Sequence, residues 1–230
     1  MAKHLNAYDR ALLALRDKLE KMGQLAGERL SQAMQAFVAQ DEEQARLVLA
    51  GDDEIDILDE ELEMEALELI SLQQPVDYEL RFLSAVIRVS REFERIADYA
   101  CDIAEATLQL EKGKPFFKPL IDLPRLAELV QGLMRKAFQA HVIKDLVAAG
   151  ELDEDDDQID QLFLNLVAEL TDFIKKEPEC VDQAIKILLV SRYLERVGDH
   201  VVNIGEMIIF TETGERHPFK RAKRKARNGE

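Results

Sequence analysis

The stretch SREFERIADYACDIAE, residues 90–105, returns in altered form as SRYLERVGDHVVNIGE, residues 191–206. At about 100° per residue both read as helices with two distinct stripes. In the first, Phe93, Ala97, Ala100 and Ala104 form an apolar stripe, with Ile96 and Ile103 further round, and Leu194, Gly198, Val201 and Gly205 form its counterpart. Glu94, Asp98, Asp102 and Glu105 fall within about 80° of one another on a different face. Glu195, Asp199, Asn203 and Glu206 repeat that arrangement. The oxygen-bearing side chains are held off the face that packs.

The duplication extends beyond this helix. Gln32–Asp56 aligns without gaps on Lys136–Asp160, setting Asp52, Asp53, Ile55 and Asp56 against Asp156, Asp157, Ile159 and Asp160. Pro75 pairs with Pro178, each just before a third helix. So many coincident positions in the same order indicate an internal repeat. Leu, Ala, Glu, Gln and Arg dominate, apolar residues recur at three- and four-residue spacing, and no period-2 run stands out. Breakers fall at Gly51, Pro75, across Lys112–Pro124 (Gly113, Pro115, Pro119, Pro124), and at Gly150, Pro178 and Gly214. The pattern predicts helices over 4–49, 52–73, 76–112, 123–149, 153–176 and 179–212. The expected fold is all-α, two tandem and similar three-helix bundles. Residues 1–113 form the first, 114–122 a linker, 123–213 the second and 214–230 a basic tail.

Composition limits the function classes. At 47% hydrophobic and 33% charged over 230 residues, the chain suits packed domains and not a disordered polymer. No apolar run reaches the roughly 18 residues that a membrane-spanning helix needs, and the first twenty residues lack the apolar core of a secretory signal. Cys101 and Cys180 stand far apart without a CxxC partner, which suits reduced thiols in the cytoplasm. The formal charge of −16 is uneven. From Arg216 onward there are seven Lys or Arg and one acid, leaving 23 basic and 45 acidic residues before it, a net of −22. So acidic a body disfavours nucleic-acid binding and suits hard cations or basic partner surfaces. The tail reads as a solubilising extension, or as one attracted to an anionic membrane, a nucleic acid or the acidic body of another copy.

A second acidic stripe, Asp52, Asp56, Asp59 and Glu63, precedes the repeated helix in the first half. The second half keeps Asp156 and Asp160 and then turns apolar at Phe163 and Val167. If neighbouring helices bring the stripes together, the candidate metal ligands are Glu94, Asp98, Asp102 and Asp56, and in the second repeat Glu195, Asp199, Asn203 and Asp160. All-oxygen donors suit magnesium, calcium, manganese or iron, with zinc also conceivable. A face that is only solvated is the alternative reading. Arg88, Arg91, Arg95, Arg192 and Arg196 are expected to pair with the acids, the alternative being that they hold an anion. His200 matches Tyr99, so a shared site does not depend on imidazole. A ferritin-like di-iron site needs Glu-x-x-His on two helices, which neither Glu94 nor Glu195 begins. No Walker loop, nucleophile elbow, dinucleotide fingerprint or HExxH is present, so no catalytic residue is expected. Gly198 and Gly205 are expected to allow close helix contact.

The paired segments ERIADYACDIAE and ERVGDHVVNIGE, closing two three-helix repeats, resemble the PhoU family of phosphate-signalling proteins. The likeness runs from about residue 5 to 212, and the family's Glu/Asp-x-x-x-Asp hallmark falls on Glu94–Asp98 and Glu195–Asp199. Gly198 and Asn203 stand closer to the family's usual form than Ala97 and Asp102. The resemblance implies a cytoplasmic regulator, not an enzyme. It would be a negative regulator of the phosphate-starvation response that links the ATPase subunit of a phosphate ABC transporter to a PhoR-type histidine kinase. It also implies a homodimer peripherally associated with membrane complexes, and in some members iron or other metal clusters on the carboxylate faces. A carboxylate-bridged metal enzyme and a metal-free docking module remain the competing readings.

Overall fold

The computed structural model describes residues 6–216. Most of the predicted tail, from His217 onward, lies outside the described residues. Seven α-helices make up the described part: α1 (Ala7–Ala39), α2 (Glu42–Leu49), α3 (Asp52–Gln73), α4 (Asp77–Leu108), α5 (Asp122–Ile143), α6 (Leu146–Lys176) and α7 (Val181–Thr213). Each half is a bundle of three long helices, α1, α3 and α4 against α5, α6 and α7, and α2 is a short extra piece in the first half.

Helix ends explain where the sequence reading went astray. The span predicted as one helix over 4–49 breaks after Ala39. Gln40 turns left-handed at φ 54°, and the Asp41 side chain accepts from Glu43 N and Gln44 N to start α2. The second half breaks at the equivalent place. Lys144 is left-handed at φ 56°, and Asp145 accepts from Val147 N and Ala148 N. The break predicted at Gly150 is absent, and α6 runs through it. Only the first half breaks again, at Gly51, where a side chain would collide with the Arg29 guanidinium. The fold therefore has α6 where the first repeat has α2 and α3.

The cores coincide position by position. Ile96, Ala97, Ala100, Ile103 and Ala104 are buried on α4, and so are Val197, Gly198, Val201, Ile204 and Gly205 on α7. Burial of these aliphatic stripes against α1 and α3, and against α5 and α6, supplies the main driving force of each bundle. The two halves join through α4 packed against α7 and α1 against α5. Across α4 and α7, Tyr99 meets its own counterpart His200, ring centroids 5.7 Å apart. Glu92 lies against His200 (2.6 Å), and the equivalent pair, Tyr193 and Tyr99, stack at 5.8 Å. Such reciprocal contacts mark an approximate twofold axis through the Tyr99–His200 contact.

The linker is pinned to both halves. Phe116 packs on Phe37 of α1 and Phe117 on Phe173 of α6, at 5.5 and 5.3 Å between centroids. The buried Gln183 amide accepts from Phe117 N at 2.9 Å and donates to the Pro115 carbonyl at 3.0 Å.

Candidate functional site

Both repeated helices carry the same ladder of alternating charge. On α4, Arg91 Nη1 donates to Glu94 Oε1 at 3.0 Å and Arg95 Nη1 to Asp98 Oδ2 at 2.8 Å. On α7, Arg192 Nη1 reaches Glu195 Oε1 at 2.6 Å and Arg196 Nη1 reaches Asp199 Oδ2 at 3.0 Å. The i,i+3 spacing puts each arginine over the acid one turn on. Arg91, Arg95, Arg192 and Arg196 are thus the counter-charges of the motif, as expected from the sequence, whereas Arg88 Nη1 reaches Met207 Sδ of α7 at 3.9 Å.

The first repeat is the richer in carboxylates. Buried Asp59 of α3 takes Arg91 Nη1 at 3.4 Å, so Arg91 bridges α3 and α4. Burial, together with repulsion from Asp98, raises the Glu94 pKa above the usual carboxylate range, while Arg91 and Arg95 pull it back. Asp56 is raised by desolvation and then by Asp52, Asp98, Asp53 and Asp59. The structure therefore gathers Asp56, Glu94 and Asp98, with Asp52 and Asp59, where α3 meets α4. Asp52 does further work: it accepts from the Cys101 thiol at 3.3 Å. Burial, then that bond, pushes the thiol pKa up to about 12.

The second repeat uses its acids differently. Asp156, the counterpart of Asp52, is almost fully buried and lies against Gly198, where a methyl group would overlap its carboxylate. Gly205 likewise admits Leu152, whose Cδ1 stands 2.7 Å from a would-be Cβ. Both glycines let α6 settle close onto α7. Asp160 is half-buried on α6. Asn203 faces the other half: its Nδ2 donates to Glu92 Oε2 at 3.0 Å, beside His200. Asp102 is its mirror image, raised in pKa by burial, then by Glu105 and Asp98, and in turn raising the Tyr193 pKa after burial does. Asp102 and Asn203 thus belong to the junction between repeats as much as to the ladders. Glu92, which anchors that junction, escaped the sequence reading because its counterpart is Tyr193.

Two buried oxygens bear on the metal expectation. Glu94 Oε2 and Glu195 Oε2, at equivalent positions, are both buried without a hydrogen-bond partner. The nearest cations are Arg95 Nε at 3.6 Å and Arg196 Nε at 3.9 Å. An all-oxygen donor set with one such acceptor per repeat fits a hard cation. Among the described residues no three His, Cys, Asp or Glu side chains converge as a finished metal cage. Away from the ladders, an apolar cavity of about 380 Å³ lies between α1, α4, α5 and α7. His141 lines it, with Nε2 buried and unpartnered and its pKa lowered first by burial and then by Arg16 and Lys144. It is remote in character from the carboxylate sites and holds no candidate ligand.

A family model described as the PhoU domain matches residues 19–107 and again 123–208, the two repeats in turn. A phosphate-specific transport system accessory protein PhoU homolog of Caulobacter vibrioides is 31% identical over 224 residues, covering 97% of each chain. A PhoU homolog of Thermotoga maritima is 33% identical over 93% of this chain and 92% of its own. The crystal structure of the phosphate transport system regulatory protein PhoU from Streptococcus pneumoniae superimposes with a TM-score of 0.85 at 27% identity, covering 91% of this chain and 99% of that one. PhoU from Pseudomonas aeruginosa has the same fold, with a TM-score of 0.87. Matched in both repeats and along almost its whole length, the chain belongs to the PhoU family.

Proposed function

We propose that this protein is a regulatory accessory of a phosphate transport system, working in the cytoplasm by docking and not by catalysis. In this reading it couples the ATPase subunit of a phosphate ABC transporter to a PhoR-type histidine kinase and restrains the starvation response while phosphate is ample. The observation that carries the reading is the end-to-end likeness to phosphate-transport accessory proteins, with both Glu-Arg-x-x-Asp helices in place. The ladder adds chemical support. Its carboxylates are already neutralised by arginines on the same helix, which suits a recognition surface more than a general acid or base. No helix among the described residues is long and apolar enough to cross a membrane. A homodimer is part of the proposal.

A hard cation such as iron, magnesium, manganese or calcium, or else zinc, would be held in the first repeat by Glu94 and Asp98 with Asp56 beside them. In the second it would be held by Glu195 and Asp199 with Asp160. Bound there, such an ion supplies positive charge at the face. Arg91 and Arg95, or Arg192 and Arg196, supply it otherwise.

Deleting the gene and measuring starvation-induced transcripts in phosphate-rich medium tests the regulatory role. Derepression is expected, and normal repression would refute it. Affinity purification under rich and poor phosphate tests the partners. Metal analysis of protein purified without chelator, beside the Asp98→Asn/Asp199→Asn double variant, tests the cation separately. Equal metal in both would remove these residues as ligands.

A further inference from the structure

The apolar cavity at the junction of the two halves is used by neither ladder. Its buried wall is made by Leu19 and Gly23 of α1, Val89 of α4, Ala137 of α5, and Val201 and Ile204 of α7. Phe93, Met134, Phe138 and His141, all half-buried, form its sides. Glu28 and Arg135 are exposed and stand at its opening. Packed interiors leave few voids larger than a water molecule, so about 380 Å³ of apolar space calls for a cause.

Comparison of the repeats removes the backbone as that cause. The ungapped alignment continues back along α1 and α5, pairing Leu30 with Met134, Phe37 with His141 and Gly27 with Gln131. Leu30 and Phe37 are fully buried, and Phe116 of the linker covers Phe37 at 5.5 Å between centroids. Met134 and His141, at the equivalent places, are only half-buried and border open space. The α1 residues are packed solid, while their α5 counterparts line a hollow.

Gly27 stands mid-helix on the cavity wall, where glycine weakens a helix relative to alanine. A methyl group there would meet only Met134 Cε, at an ordinary 3.6 Å. No neighbour demands this glycine, and its effect is to keep the cavity wide. Gly23 is a different case, because the Phe93 ring lies 2.6 Å from where its Cβ would be. His141 brings a neutral imidazole to the wall, with Nε2 buried and lacking a hydrogen-bond partner. The volume suits a molecule of one or two fused rings. Rings at Phe93 and Phe138 and the Met134 thioether favour an aromatic body over an aliphatic chain. The buried wall holds no charged side chain, and around the opening Glu20 and Glu28 outnumber Arg135, so an anion is disfavoured and a buried cation has no counter-ion.

We propose that this cavity binds a small, uncharged aromatic molecule carrying one hydrogen-bonding group, held between the two halves with His141 as its polar contact. The ring lies among Phe93, Phe138 and Met134, over the space that Gly27 leaves free. Bound there, the molecule touches α1 and α4 of the first half and α5 and α7 of the second at once. The proposal goes beyond the regulatory reading and does not depend on it.

Titration calorimetry of the full chain with β-naphthol, which is neutral at pH 7.5, tests it. Binding at one site is expected, with β-naphthalenesulfonate, the anionic control, weaker by about tenfold or more. The methyl resonance of Met134, assigned with Met134→Leu, is expected to shift on binding. That of Met34, the buried counterpart of Phe138 on α1, is expected to stay in place. Gly27→Leu, which fills the space from α1, is expected to weaken β-naphthol about tenfold or more without lowering the melting temperature. His141→Leu is expected to weaken it about three- to tenfold and to leave naphthalene unaffected, since one neutral hydrogen bond is lost. No β-naphthol binding, or binding that leaves the Met134 methyl unmoved, overturns the proposal. So does undiminished binding by folded Gly27→Leu; if that variant does not fold, the Met134 resonance decides. Equal affinity for the sulfonate overturns the chemical class. A Met134 shift produced by raising protein concentration alone identifies a second copy of the chain as the occupant instead.

Discussion

The carboxylate of Asp156 occupies the space that a side chain at Gly198 would need. The equivalent residue in the first repeat is Ala97, buried without difficulty, because Asp52 there turns to the Cys101 thiol. Two repeats of one backbone have thus placed the equivalent carboxylate in two ways, buried at Asp156 and half-buried at Asp52, and the residue opposite has followed. Gly198→Ala is expected to destabilise the protein by about 1–3 kcal/mol despite the better helix propensity of alanine. Urea denaturation followed by circular dichroism measures it, and an unchanged midpoint would contradict the close approach of α6 to α7.

Asp102 is a carboxylate whose pKa folding raises, so the folded state holds its proton to higher pH than the unfolded chain does. Stability from this group therefore falls as pH rises through the window between the ordinary carboxylate value and the raised one, and the penalty is complete above it. Asp102→Asn, which copies Asn203, is expected to raise the melting temperature at pH 7.5 by roughly 1–3 °C. The gain should shrink toward zero as pH drops below the ordinary carboxylate range. A gain independent of pH would mean that charge is not the cause.

Glu92 holds His200 and Asn203 together across the two halves. Glu92→Ala is expected to cost about 1–3 kcal/mol, since two half-buried donors lose their acceptor. A double-mutant cycle with His200→Ala should return a coupling of about 0.5–3 kcal/mol. Additive effects would dissolve the interaction.

Gln183 grips the linker backbone from both sides. Its replacement by Ala is expected to cost about 1–3 kcal/mol and to speed proteolysis between residues 113 and 121. Limited digestion with fragment mass analysis would show whether cleavage moves there.

The Cys101 thiol, with its pKa pushed up to about 12, holds almost no thiolate at pH 8. Native protein should react with a disulfide reagent at this residue only after denaturant is added. Prompt native labelling at Cys101 would show the site to be open.

The repeat, the all-helical fold and the ladders were legible because each depends on residues kept in register in both halves: Glu94 and Glu195, Arg95 and Arg196, Asp98 and Asp199. Spacing of three and four residues is itself the contact rule on a helix, so these pairs needed no tertiary knowledge. The breaks after Ala39 and Ile143 were hidden because left-handed Gln40 and Lys144 stand where a glycine would have signalled. Asp41 and Asp145, aligned without a gap, were the readable sign. Periodicity also could not say that Asp102 and Asn203 face the opposite repeat. Which neighbour a stripe meets is decided by how α4 crosses α7, and Glu92 has no counterpart in kind to betray it.

Tyr8 of α1 and Thr211 of α7 touch α4 two residues apart, through Glu79 and Arg81. The start of the first half and the end of the second are therefore neighbours, while the linker joins the halves at the far end. A short bridge from the end of α7 to the start of α1, with the chain opened between α4 and α5, would keep every interhelical contact and change only which loop is closed. Loop-closure entropy grows slowly with length, by about 0.6 kcal/mol per doubling, so such a permuted chain gives up little on that account. The order in which the two halves are strung is a property of the chain's connectivity alone, and the packed interior has no means of registering it.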